Sequence, residues 1–257
     1  MQHSKLHPGS VVLLLWILAT VNTMAGAQEP ERYLYRTEML RAAPGELATV
    51  IEMIQERLPV WQDAYPAGPF WMRHSQGDHW DLLLLFPMGQ DFHEYYDTDA
   101  QKKRDDAATR SGTGAGDFEK DLLKRIAWRE ELYVWGPSPK EVAARFADAG
   151  FFHVEIFQAL PGKRAELLLQ RHMENDYLAK IDRPTNLIFQ RAGGAAWDCY
   201  TIGFYRDLKH FAASADVSAE AEEKAAIEAG FTSSSTIGTY LRELIAQHHD
   251  TLAVAVR

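Results

Sequence analysis

His153 and Glu155 stand two residues apart in FFHVEIFQAL (151–160), and Arg36 and Glu38 hold the same relation in RYLYRTEMLRA (32–42). Both stretches are rich in aromatic and β-branched residues and read as strands, so side chains two apart share a face. Alternation sorts Arg36, Glu38, His153 and Glu155 to one side and Thr37, Met39, Val154 and Ile156 to the other. An imidazole beside a carboxylate can exchange protons near neutral pH, which makes His153 and Glu155 the candidate acid–base pair. A carboxylate removed from water is costly unless paired, and unpaired its pKa rises. Arg36, Arg73 and His153 are the available partners. If the apolar set faces helices, both carboxylates point between the sheets. They would form either a structural ring of ion pairs or a pocket.

Other reactive residues carry less. His248, His249 and Asp250 read as the end of the last helix, where the helix dipole favours cations. His93 and His210 adjoin polar insertions and read as exposed. His74, Asp78 and His79 surround an SQGD turn and offer zinc-type ligands, but Arg191 and Ala196 replace the two histidines in the second copy described below, so no metal site is assigned. GTGAG (112–116) follows no strand and lacks the lysine and hydroxyl of a phosphate loop. No Gly-x-Ser-x-Gly elbow is present, and the single cysteine, Cys199, sits in an apolar run as a small hydrophobe. A net charge of −9 without a basic tract argues against nucleic acid as a partner.

The elements that must position these residues occur twice. Sliding the 257-residue sequence by 117 positions aligns 35–88 with the second half without a gap. GDHWDLLLLF (77–86) meets GAAWDCYTIGF (194–204), Glu38 meets Glu155, and Pro44-Gly45 meets Pro161-Gly162. Each copy reads as a strand, a Pro-Gly turn, a helix, a hairpin, a polar insertion, a second helix and a last strand. The hairpins begin at PFWMRHS (69–75) and NLIFQRA (186–192); the second helices are DFEKDLLKRIAWREE (117–131) and TIGTYLRELIAQHHD (236–250). The expected fold is α+β: two tandem ferredoxin-like β-α-β-β-α-β units, 32–136 and 151–257, whose bare sheet faces are pressed together as a pseudo-dimeric α/β barrel. A linker helix fills 137–150, capped by Ser138 with Pro139 and Glu141 in its first turn.

The copies differ in their first helices. Leu47, Val50, Ile51, Ile54, Leu58 and Trp61 make one apolar stripe, whereas Arg171 and Asn175 replace Ile54 and Leu58 in the second copy. A buried charge or amide needs a partner, so that helix faces something polar or is exposed. The expectation is a cavity within the second half or between the halves, with the first half as scaffold. At the start of the chain, an apolar run (11–21) and Ala25-Gly26-Ala27 read as a signal peptide over 1–27, the run being too short to span a bilayer. The expected location is periplasmic or secreted, with no membrane contact after cleavage.

Tandem ferredoxin-like units with Pro-Gly after the first strand resemble the dimeric α/β-barrel superfamily, most nearly its NIPSNAP-like branch. That resemblance implies cofactor-free oxygenases, isomerases, haem enzymes or members without catalysis, since one fold hosts many functions. The expected ligand-binding residues are Arg36, Glu38, Arg171, His172, Trp197 and His248, beside His153 and Glu155. No cofactor is expected on the first reading; haem, held by His172, His210, His248 or His249, is the alternative. A small molecule is the expected partner, and a non-catalytic packed barrel the rival. A monomer suffices to complete the barrel, and homo-oligomers remain compatible.

Overall fold

The computed structural model describes residues 32–64, 68–110, 112 and 114–256, and the export signal expected at 1–27 lies outside them. Chain order is β1 (Tyr33–Ala42), α1 (Leu47–Ala64), β2 (Phe70–Gln76), β3 (Leu82–Gly89), α2 (Phe92–Tyr96), α3 (Thr98–Arg110), α4 (Ala115–Leu123) and β4 (Ile126–Gly136). The connecting helix α5 (Pro139–Ala147) follows, with Ser138 Oγ accepting from the Glu141 amide at 3.2 Å as its sequence requires. The second half runs β5 (Phe151–Ala159), α6 (Arg164–Lys180), β6 (Leu187–Gly194), β7 (Cys199–Tyr205), α7 (Leu208–Ala212), α8 (Ala219–Glu228), α9 (Ile237–Arg242) and β8 (Ile245–Val254). Both halves are therefore ferredoxin-like, each carrying extra helices in its polar insertion.

The sheets are joined more closely than two stacked layers. All eight strands form one closed antiparallel barrel in the order β1-β3-β2-β8-β5-β7-β6-β4. Within each half the first strand is central; the edge strands of one half pair with those of the other, β2 with β8 and β4 with β6. Closure satisfies the edge amides that two open sheets would leave unpaired.

The repeated Gly-x-x-Trp-Asp motif explains how closure is achieved. Gly77 and Gly194 both have positive φ, +120° and +96°. A Cβ on Gly77 would fall 2.2 Å from the Asp250 carbonyl oxygen, and one on Gly194 would fall 2.8 Å from that of Glu131. Only glycine lets each hairpin press against the facing strand. Trp80 and Trp197 enter the barrel core, 0% and 7% exposed. Asp81 and Asp198 clamp the end of the central strand: their Oδ2 atoms accept from the Ala42 and Ala159 amides at 2.8 and 2.9 Å. Their own amides donate to the Leu40 and Phe157 carbonyls. Seal, core and clamp are thus encoded in five residues, twice.

Two expectations are corrected. The apolar faces of the first strands point into the barrel, where Met39, Val154 and Ile156 join one core with Tyr35, Phe189 and Tyr200. Thr37 Oγ1 lies there too, 2.7 Å from Tyr200 Oη. Arg36, Glu38, His153 and Glu155 therefore lie on the outer face, beneath the helices, and do not point between the sheets. An eight-stranded interior has room for side chains alone, so the charges go where helix side chains and water can meet them. The second correction concerns 117–131 and 236–250, which are not single helices. Each breaks after α4 or α9 and continues as β4 or β8, so His248, His249 and Asp250 lie in mid-strand. Pairing of these polar segments along the central strands overrides their helical spacing.

Candidate functional site

Equivalent pairings set two equivalent constellations on the outside of the barrel. Glu38 lies opposite Glu131 in the β1–β4 ladder, and Glu155 lies opposite Asp250 in the β5–β8 ladder. Leu40 opposite Arg129 likewise matches Phe157 opposite His248. The carboxylates are retained in both halves, but the arginines Arg36 and Arg129 of the first become the histidines His153 and His248 of the second.

In the second half, Glu155 is 7% exposed and holds three groups. Its Oε2 accepts from Thr201 Oγ1 at 3.2 Å and from Arg171 Nη1 at 3.3 Å, and its Oε1 lies 3.5 Å from His248 Nε2. Arg171 reaches down from α6 and is 2% exposed. Its guanidinium sits 4.5 Å over the Phe157 ring, while Nε donates to Gln170 Oε1 and Nη2 to Glu174 Oε2. His153 Nε2 contacts Asp250 Oδ1 at 2.5 Å, and the His248 ring stacks on Phe157 at 4.8 Å.

These environments push neighbouring pKa values apart. Burial opposes ionisation of Glu155, but His248, the Arg171 charge and His153 outweigh it and lower its pKa to about 2. Burial raises that of Glu174, reinforced by Glu155 and only partly offset by Arg171. His153 is raised: desolvation works against its charge, but Asp250 and Glu155 prevail. Two carboxyls with opposed shifts, one beside an imidazole, are an arrangement that can hold and pass a proton.

The open volume lies elsewhere. A cleft of about 500 Å³ opens in the first half, lined among others by Arg36, Arg57, Trp61, Tyr95, Arg104 and Tyr133. A smaller space of about 130 Å³ adjoins it beneath α1, where Ile54, Leu40 and Glu38 contribute. Ile54 is the counterpart of Arg171, and Leu40 that of Phe157. The long Arg171 side chain fills in the second half what the short Ile54 leaves open in the first. The space beneath the first helix thus lies in the half expected to be the scaffold. A further cleft of about 510 Å³ in the second half is lined by Met173, Phe231, Tyr240 and neighbours, and neither His153 nor Glu155 lines it.

The walls of the first cleft are polar and aromatic together. Glu38 pairs with Arg36 and with Arg129 (Nη2 at 2.6 Å), and Arg36 also reaches Glu131 at 3.1 Å. Tyr133 donates to Glu131 Oε1 at 2.9 Å, and Tyr96 Oη lies 3.2 Å from Tyr133 Oη. Burial, with help from these two neighbours, raises the Tyr133 pKa, so the phenol stays protonated. The Arg57 guanidinium lies over Phe118 and that of Arg104 over Tyr95, at 5.1 and 4.0 Å.

Of the residues expected to bind a ligand, Arg36 lines the 500 Å³ cleft and Glu38 the adjoining space, while Arg171 and His248 converge on Glu155. His172 is exposed on α6, away from that cluster. Trp197 belongs to the barrel core and donates to Glu130 Oε2 at 3.0 Å. Sequence reasoning did not select Asp250, Glu174, Arg57, Arg104 or Tyr133. Placing 245–254 as a strand would have brought Asp250 to the face of His153; Arg57, inside an apolar stripe, carried no such signal.

The residues present do not fit a haem. His172 is exposed, His210 sits at the start of α7 with Nδ1 accepting from the Arg206 amide, His248 stacks on Phe157, and His249 Nδ1 is 2.7 Å from Asp78 Oδ2. None of the four lines either large cleft. Two groups of described residues do bring three metal-ligating atoms within 4.8 Å of one another: Asp78, His79 and His249, and His153, Glu155 and Asp250.

Fold and outer-face geometry define a dimeric α/β barrel whose two halves are carried on one chain. The solved structures that resemble it agree. An anthrone oxidase-like protein superposes with a TM-score of 0.55 at 11% identity, over 89% of this chain and 93% of that one. A candidate monooxygenase from Fusobacterium nucleatum gives 0.51 at 8% identity, over 89% and 94%. A mutant chlorite dismutase of Candidatus Nitrospira defluvii overlaps only loosely, at 0.44 and 10% identity over 86% and 92%. No family model and no curated protein matches the chain.

Proposed function

We propose that the chain binds a small planar molecule bearing an acidic group in the cleft of the first half. The cleft itself carries the reading: about 500 Å³ lined by three arginines, three tyrosines and Trp61. Arginine forks suit a carboxylate or an enolate-like oxygen, and the aromatic walls suit a flat ring. Glu131 and Asp105 in the same wall bias the site toward a single anionic group rather than a polyanion. The protonated Tyr133 is a hydrogen-bond donor for a ligand oxygen. The signal-like start (1–27) supports a periplasmic or secreted setting, and Pro-Gly after the first strand supports placement near the NIPSNAP-like branch.

Trp61 in the wall supplies the assay. 2-Naphthoate should quench tryptophan fluorescence saturably, and neutral 2-naphthalenemethanol should bind at least about tenfold more weakly, the loss of one charge-assisted pair. Arg57→Ala should abolish the preference for the acid. Equal binding of both compounds would overturn the reading.

A second reading rests on His153 and Asp250. Their contact, beside a Glu155 held ionised, supports proton-transfer chemistry of the cofactor-free oxygenase or isomerase type on the outer face of the second half. Turnover that vanishes in His153→Gln while 2-naphthoate binding persists would favour it.

A further inference from the structure

We propose that Asp78, His79 and His249 form a binding site for one divalent first-row transition ion of the zinc type, set across the β2–β8 seam. The sequence around the SQGD turn had offered His74 in place of His249. In the structure His74 turns to the Trp80 ring, 5.7 Å between centroids, and His249 arrives from β8 instead. The site is independent of the arginine-lined cleft, none of whose lining residues it shares.

The geometry comes from the seam glycine. Gly77 has no Cβ to hold the turn away from Asp250 and Thr251, so Asp78 and His79 are laid against β8. The Asp78 amide meets Thr251 Oγ1 at 3.4 Å. The Asp78 carboxylate, with 5% of its side chain exposed, then sits between two imidazoles. Oδ1 is 2.6 Å from His79 Nδ1 and Oδ2 is 2.7 Å from His249 Nδ1. One atom from each of the three residues lies within 4.8 Å of the others, a spread that small side-chain rotations can close around an ion. The ion would take the place of the hydrogens shared in these two contacts, with each neutral imidazole ligating through Nδ1 and keeping its proton on Nε2.

Two imidazoles and a carboxylate suit zinc and its first-row neighbours better than calcium or magnesium, which take oxygen ligands. Support around the ligands is in place. Gln247 Nε2 lies 2.7 Å from His249 Nε2; with that amide turned over, Gln247 Oε1 accepts from the Nε2–H of a ring ligating through Nδ1, the outer contact usual for ligating histidines. Trp197 packs on His249 at 4.6 Å and Trp128 on His79 at 4.4 Å, limiting ring rotation. His79 is half exposed, which leaves a way in from solvent. The other cluster, His153, Glu155 and Asp250, is the poorer host. Arg171 already lies on the Glu155 carboxylate, and its guanidinium would repel a cation.

In the second half the equivalents of Asp78 and His79 are Ala195 and Ala196, so the chain should take up one ion and not two. The test is calorimetric titration of the untagged chain, freed of metal, with Zn²⁺. The expected result is one ion per chain, a melting temperature that rises with Zn²⁺, and Co²⁺ producing visible bands of tetrahedral type. Asp78→Asn and His249→Gln, which keep shape and hydrogen-bonding capacity, should each weaken binding by at least about tenfold. His210→Ala, on the exposed α7, should bind as the parent does. Far-UV circular dichroism checks that each variant is folded. No stoichiometric uptake, or uptake unchanged in folded Asp78→Asn and His249→Gln, would overturn the proposal.

Discussion

Arg171 and Ile54 occupy the same position in the two halves, and the exchange of one for the other decides which first helix has open space beneath it. Arg171 lies flat over Phe157 and ties together Glu155 and Glu174, closing the space under α6. Ile54 stands at the equivalent place under α1 and leaves a cleft.

Because Arg171 neutralises the buried Glu155, Arg171→Met should cost about 3–5 kcal/mol in urea unfolding, the usual price of stranding a buried partner. Glu174→Gln should be close to neutral or slightly stabilising, since burial already favours its protonated form. A larger loss for Glu174→Gln than for Arg171→Met would contradict this arrangement.

Stability should vary with pH at both ends. Glu155 is depressed from 4.5 to about 2, so its contribution is present above 4.5 and is lost as the pH falls toward 2. His153 is raised above its ordinary 6.5, so its contribution is full below that value and is lost as the pH climbs through the raised one. Melting temperatures of His153→Gln should therefore lack the alkaline decline of the parent, while Glu155→Gln should lack the matching part of the acid decline.

Gly77→Ala and Gly45→Ala separate closure from local turn strain. Both positions have positive φ, but nothing lies within 4 Å of a Cβ on Gly45. Gly45→Ala should cost about 1–2 kcal/mol from backbone conformation alone. Gly77→Ala adds a clash with β8 and should cost about 3 kcal/mol or more. Hydrogen exchange should show faster opening at the β2–β8 pairing in Gly77→Ala alone.

Asp81→Ala removes an acceptor from the Ala42 amide and should cost about 1–2 kcal/mol. Asp198→Ala should cost more, because Asp198 also binds Arg191 Nη2 at 2.8 Å. Chemical denaturation of the two variants gives the comparison directly.

The halves were legible in the sequence because Gly77, Trp80 and Asp81 each do a separate backbone or core task that tolerates few substitutes, and the task recurs at Gly194, Trp197 and Asp198. The pairing of His153 with Glu155 on one face was legible from alternation. Which face they take was not, because the width of a barrel interior is a property of eight strands together. The last strand was legible in TLAVAV (251–256), but its first half was hidden by HHD, a polar run whose extended form comes only from pairing with β5. The cleft was hidden too: open space under α1 depends on the absence of a long side chain at Ile54, and an apolar stripe reads as packed.

The two seams also set how copies of this chain can trade parts. Each seam joins a strand of one half to a strand of the other, with α5 the only covalent tie between halves. If both seams open, the first half of one molecule can close its ring with the second half of another, reproducing every contact at no loss. The nine-residue α5 and its Ser138 cap oppose this exchange by holding the tie short and stiff. Lengthening that tie would shift the protein, at high concentration, toward a reciprocally interlocked pair.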